Sequence, residues 1–195
     1  MLALTIAATV HISVMGSLHP VQFELQPAKG VVLIVETQGR TETLQGARTI
    51  TLTGPARVAG RGGTMAHFQL AAPGGKPREY LGKLEVRRVG DELLAIVEMD
   101  RETAVASIAE AEGTPGMPFE ARKAQAVVTR SYLAGARNRH TGFDFCDTEH
   151  CQLLKDIPPA ASSASQAAAV TRGQVLAYKG EVVPALYSAS CGGHT

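Results

Sequence analysis

The chain has 195 residues, 45% hydrophobic and 19% charged, a composition that excludes a disordered or fibrous protein. Nineteen Lys and Arg stand against eighteen Asp and Glu, and the resulting net charge of +1 gives no global field to attract nucleic acid or a membrane surface. Aromatics at 5% with no Trp leave little for stacking bases, and three cysteines are too few for a disulfide scaffold.

The start of the chain, Met1 to Val14, is apolar but has no Lys or Arg before Lys29, so it reads equally as a signal remnant or as a first strand over Thr5–Val14. No stretch reaches the roughly 18 apolar residues of a membrane-spanning helix. Val31–Glu36, Arg48–Thr53 and His67–Leu70 are short, turn-bounded strand candidates, and Leu84–Glu98 reads as a hairpin turning at Gly90-Asp91. The glycine clusters Gly60–Gly63 and Pro73–Pro77 read as loops without the Lys-Ser/Thr of a phosphate loop. The pattern changes near Asp100. Glu102–Glu112 is Ala- and Glu-rich with helical spacing, and a second helix runs from Pro118 to about Ala134, stopped by Gly135. A polar stretch, Arg137–Asp156, precedes an Ala/Ser-rich helix over Ala161–Thr171. A β-hairpin around Lys179-Gly180 follows. The class is α+β: a strand-rich N-terminal half, a helical middle, then a C-terminal helix and hairpin.

Three places carry residues suited to chemistry. In the second helix Glu120 precedes Ala124, Val127, Val128 and Ser131 at helical spacing, which predicts a carboxylate at the edge of a buried face, with Arg122 on the polar one. A Glu in a first helical turn is also a common cap-adjacent residue. His140, Cys146, His150 and Cys151 combine imidazole and thiolate, the donor set of a tetrahedral zinc site. The alternatives are a Cys146–Cys151 disulfide or plain loop residues. Tyr187–Thr195 places small polar residues and Gly192-Gly193 after a strand, as either a ligand-approaching loop or a simple turn. Cys191 there is a free thiol or an alternative metal ligand.

These segments occur in the order and spacing of one family. Glu112, seven residues, then Glu120-Ala-Arg-Lys-Ala-Gln-Ala-Val-Val-Thr-Arg130-Ser-Tyr132 resembles the core of the stage II sporulation protein D family, which includes amidase-enhancer proteins of the bacterial wall. Cys146-Asp-Thr-Glu-His150-Cys151-Gln152 is similar to a C-D-x-x-H-C-Q loop of some members. Thr171–Gly180 and Cys191-Gly-Gly-His-Thr195 resemble two further family motifs. The match spans about Met99–Thr195 as the catalytic core, with residues 1–98 as a β-rich lead-in. Arg122 stands where the family has Leu, Cys191 where Ser is common, and Thr103-Ala104 where an acidic-Tyr pair is usual. The family domain normally continues past the motif ending at Thr195, so the resemblance implies a core truncated at its C-terminus.

The resemblance implies a peptidoglycan lytic transglycosylase that cleaves between N-acetylmuramic acid and N-acetylglucosamine to give 1,6-anhydro-muramoyl ends. It puts Glu120 on the catalytic glutamate, with Glu112 as a supporting carboxylate. Gln125, Arg130, Gln152, Ser190, Gly192 and Gly193 would contact glycan, and His140, Cys146, His150 and Cys151 would hold a structural zinc that takes no part in the chemistry. Glycan strands are the implied partner, a cell-wall amidase a second one, and the location extracytoplasmic. The alternative reading is a non-catalytic amidase enhancer or glycan-binding wall module. A zinc hydrolase would need an open coordination position.

Overall fold

The computed structural model describes residues 8–136 and 139–187. Nine strands fill the region up to residue 100: β1 (Thr9–Val14), β2 (Phe23–Pro27), β3 (Val32–Thr37), β4 (Arg40–Gln45), β5 (Ile50–Leu52), β6 (Ala56–Gly60), β7 (Ala66–Ala71), β8 (Arg78–Val89) and β9 (Glu92–Asp100). Three helices follow, α1 (Arg101–Glu112), α2 (Phe119–Gly135) and α3 (Ser163–Val170). Strand β10 (Phe145–Cys146) lies between α2 and α3, and a small ladder of β11 (Ala177–Tyr178) and β12 (Glu181–Val182) comes last.

The sheet is organised around β8. Its C-terminal part pairs with β9 across the Gly90-Asp91 turn and with β6 on the other side, while its N-terminal part leaves β6 and pairs with β7. The sheet therefore forks and curls, with β6, β3 and β4 on one branch and β7, β2 and β5 on the other. Gly82 sits at the fork: a Cβ there would run into the Glu98 carbonyl and the Val97 side chain, so the strands approach too closely for any larger residue. Alternation does the rest. Phe23, Leu25, Leu33, Val35, Phe68 and Leu70 all turn inward and are fully buried. Strands β2, β4 and β6 were not among the sequence expectations; β4 (RTETLQ) buries only Leu44 and so carries almost no apolar signal.

The helices pack differently. The Asp100 carboxylate caps α1, accepting the backbone N–H of Glu102 and Thr103, so the chain passes from β9 straight into a helix. Ala104, Ala106 and Ala109 are buried in α1, Ala126 in α2, and Ala164, Ala167 and Ala168 in α3. Such small residues let helix backbones approach but bury little apolar area. The joint is tied by a cation instead. Arg130 of α2 is fully buried; its guanidinium grips the Glu102 carboxylate (Nη2–Oε2 2.7 Å) and donates to the Ala168 and Gln174 carbonyls. Arg122 is also buried and donates to the Ala109 carbonyl at the end of α1.

That arrangement corrects the expected orientation of α2. Arg122 faces the interior and Glu120 is exposed, with Ala126, Thr129, Arg130 and Leu133 completing the buried face. Arg130, expected to contact glycan, is a strut whose donors are spent inside the protein. Among the described residues no helix is long and apolar enough to cross a membrane.

Candidate functional site

The loop after α2 is fastened to the sheet by two aspartates. Strand β10 runs parallel to β1, pairing Ile12 with Phe145 and Ser13 with Cys146. Asp144 accepts the His11 backbone N–H, and Asp147 accepts the Met15 N–H (2.9 Å) and the Arg78 guanidinium (2.8 Å). Burial pushes the Asp147 carboxyl up, against the opposing pull of the Met15 N–H and Arg78. These anchors fix the loop on both sides of β10.

The loop then folds four donors together. The ligand atoms of His140, Cys146, His150 and Cys151 lie within 4.8 Å of one another. His140 Nε2 is 3.2 Å from Cys151 Sγ, the two sulfurs are 3.2 Å apart without a disulfide, and His150 Nδ1 is 3.7 Å from each sulfur. Tetrahedral coordination at zinc-like bond lengths separates neighbouring ligand atoms by roughly 3.3–3.8 Å, so the donor set fits such an ion with little movement. The electrostatics agree. Burial, together with the nearby His150 and Arg139, holds the His140 imidazole below its usual range and so favours the neutral ligand form. Burial also pushes the Cys151 thiol up; the Cys146 backbone hydrogen bond opposes that push, while the Cys146 side-chain hydrogen bond and charge add to it. A bound cation is what would offset it.

Beside this cluster lies a cavity of about 460 Å³. His150 and Cys151 form one wall, Glu112 another, and Gln152, Tyr132 and Tyr187 complete it. Glu112 ends α1, and its Oε1 accepts the Leu153 backbone N–H at 2.8 Å, so the donor loop itself holds the carboxylate. Gln152 is buried, and neither end of its carboxamide finds a partner among the described residues. The Tyr132 hydroxyl accepts from Arg139, whose guanidinium also lies over the Tyr132 ring.

The two candidate carboxylates part company here. Glu112 lines the cavity. Glu120 does not: its side chain is 80% exposed and pairs with Lys123 at 2.6 Å, a surface i,i+3 contact. Gln125 lies half-buried on α2, reaching toward Thr129 one turn on (3.5 Å). Ser190, Gly192 and Gly193 lie outside the described residues. Sequence reasoning did not single out Tyr132, Arg139 and Tyr187 as site residues, because they converge from an α2 end, a loop and a C-terminal segment that share no local spacing.

Residues 89–178 match the family model described as Stage II sporulation protein (SpoIID). The match takes in α1, α2, the donor loop and α3 together. A match to this family model suggests a cell-wall-related function. The chain is also similar to an uncharacterized protein of Brachyspira hyodysenteriae, 33% identical over 120 residues. That alignment covers 60% of this chain and 33% of the relative, so the matched segment is about one third of the curated relative's length. No solved structure matches.

Proposed function

We propose that the chain binds peptidoglycan glycan strands and cleaves the β-1,4 bond between N-acetylmuramic acid and N-acetylglucosamine as a lytic transglycosylase. The observation that carries this reading is the position of Glu112, a carboxylate held at one oxygen by the Leu153 N–H beside a cavity of about 460 Å³. One carboxyl group suffices for the reaction. It gives its proton to the bridging oxygen as the anomeric carbon–oxygen bond breaks, and as carboxylate takes the proton of the muramoyl 6-hydroxyl while that oxygen closes onto the anomeric carbon. The product is a 1,6-anhydro ring, with neither water nor a second carboxylate consumed, unlike ordinary glycoside hydrolysis.

Glu120, the residue the family resemblance puts on the acid, is exposed and ion-paired, whereas Glu112 meets the cavity; geometry therefore favours Glu112 for the proton transfers. Four protein donors leave no open position on a tetrahedral ion, so zinc held by His140, Cys146, His150 and Cys151 would brace the loop that holds Glu112. An extracytoplasmic location, where glycan strands lie, accompanies the reading.

The test is mass spectrometry of purified glycan strands after digestion. Anhydro-muramoyl ends are expected from the wild type, with a loss of about 10²–10⁴-fold in Glu112→Gln and less than about threefold in Glu120→Gln. The reverse ranking would return the acid role to Glu120. The exposure of Glu120 favours a second reading, a glycan-binding amidase enhancer. It predicts no anhydro ends at all and stimulation of a wall amidase that both substitutions leave intact.

A further inference from the structure

The donor loop carries a chemistry that the proton transfers leave unused: two reduced sulfurs set side by side. Cys146 is fixed on β10, where it pairs with Ser13 of β1. Beyond it the chain turns back, the Cys151 N–H donating to the Thr148 carbonyl (2.9 Å), and this turn brings Cys151 against Cys146. The two Sγ atoms lie 3.2 Å apart, with neither in a disulfide. Two thiolates on one tetrahedral zinc ion stand about 3.8 Å apart, and a disulfide closes to about 2.05 Å. The loop holds the pair between these arrangements, within about 1.2 Å of either.

The two sulfurs differ in access. Cys151 lines the cavity of about 460 Å³, as does the cationic Arg139, whereas Cys146 does not line it. Cys146 Sγ has the Thr148 hydroxyl at 3.3 Å on one side and the Cys151 sulfur on another. A small oxidant entering the cavity therefore meets Cys151 first, with Cys146 at hand to resolve the product.

We propose that Cys146 and Cys151 form a reversible thiol–disulfide site for a hydroperoxide, in which the bridge and a metal ion compete for the same two sulfurs. The Cys151 thiolate attacks a peroxide oxygen and the O–O bond breaks. The sulfur becomes a sulfenic acid, and the departing hydroxide takes up a proton to leave as water. The Cys146 thiolate then attacks the Cys151 sulfur: the S–S bond forms, the S–O bond breaks, and a second hydroxide leaves as water with a second proton. Two electrons pass from the sulfurs to the peroxide. The bridge withdraws two of the four donors and leaves only His140 and His150 for an ion. Leu153, two residues past Cys151, donates its N–H to Glu112, so this chemistry acts on the segment that holds that carboxylate. It is independent of which glutamate meets the glycan.

The test takes the reduced full chain, with and without added zinc, through treatment with hydrogen peroxide. Alkylation counts the thiols, a chromophoric chelator reads released zinc, and mass mapping follows the tryptic peptide 140–155, which holds both cysteines but not Cys191. Two thiols should be lost and that peptide should become lighter by about 2 Da, with zinc released in step and both thiols regained in dithiothreitol. Excess zinc should slow bridging at least about tenfold relative to the metal-free chain. Cys151→Ser, checked by thermal melting, should abolish the bridge; should it not fold, the wild-type peptide map decides alone. Thiols that survive, or that pass to sulfinic acid without bridging, overturn the proposal. So does a bridge to Cys191, or bridging at the same rate with and without zinc.

Discussion

The two parts of this molecule are held together by different forces. Up to residue 100 the chain is a forked sheet whose inward residues are large and apolar, so burial of Phe, Leu and Val supplies the stability and exposed ion pairs are incidental. From Arg101 onward the buried residues mix alanines with polar groups such as Ser107, Arg122, Thr129 and Arg130 and fewer large apolar side chains, and Arg130 and Glu102 tie the joint between α1, α2 and α3. A region with little apolar area to bury fixes its geometry through charge-assisted hydrogen bonds, and becomes sensitive to the loss of a single polar partner. The site stands on this second region, at the end of α1 and in the loop after α2.

The contrast can be broken most forcefully at Arg130. Arg130→Ala leaves Glu102 and the Ala168 and Gln174 carbonyls without their donor, and is expected to cost about 3–5 kcal/mol in urea denaturation. In the sheet, Leu33→Ala removes a fully buried side chain and should cost about 2–5 kcal/mol. The two are distinguished by adding Glu102→Gln to each. The charge change should couple strongly with Arg130→Ala and add independently to Leu33→Ala; equal coupling in both would mean that the two regions are not held differently.

The smallest effect belongs to the Glu85–Arg87 pair on β8, 2.7 Å apart but partly exposed. The Arg87 hydrogen bond leads in holding the Glu85 carboxyl below its usual range, so its stabilisation is present above the unfolded carboxyl's pKa and fades as pH falls through the lowered folded one. Glu85→Gln should therefore cost less than about 1 kcal/mol at pH 7 and nothing measurable near pH 2, seen by comparing urea midpoints at the two values.

Much of this organisation was legible from local pattern. The Leu84–Glu98 run turns at Gly90-Asp91 as its composition implies, inside a longer pairing of β8 and β9. The helices over Glu102–Glu112 and Pro118–Ala134 fall within a residue or so of α1 and α2. The close spacing of His140, Cys146, His150 and Cys151 made them candidates together, and the loop does gather them. The orientation of α2 was not legible. In a helix rich in alanine the apolar contrast between faces is weak, and a stripe through Glu120, Ala124 and Val127 looked as buried as the real one through Arg122, Ala126 and Arg130. A buried arginine reads as polar until its carboxylate and carbonyl partners are known.

The sequence by itself determined the α+β order of elements, the resemblance carried by its ordered motifs and which four donor side chains stand near one another along the chain, since each depends on residues close together in sequence. Tertiary structure alone decided which of two glutamates meets a cavity, that Arg130 is a strut, and that Tyr187 stands near Glu112. Those facts depend on how α1, α2 and the 139–153 loop lie against one another, and contacts between groups tens of residues apart leave no periodicity for a linear pattern to reveal.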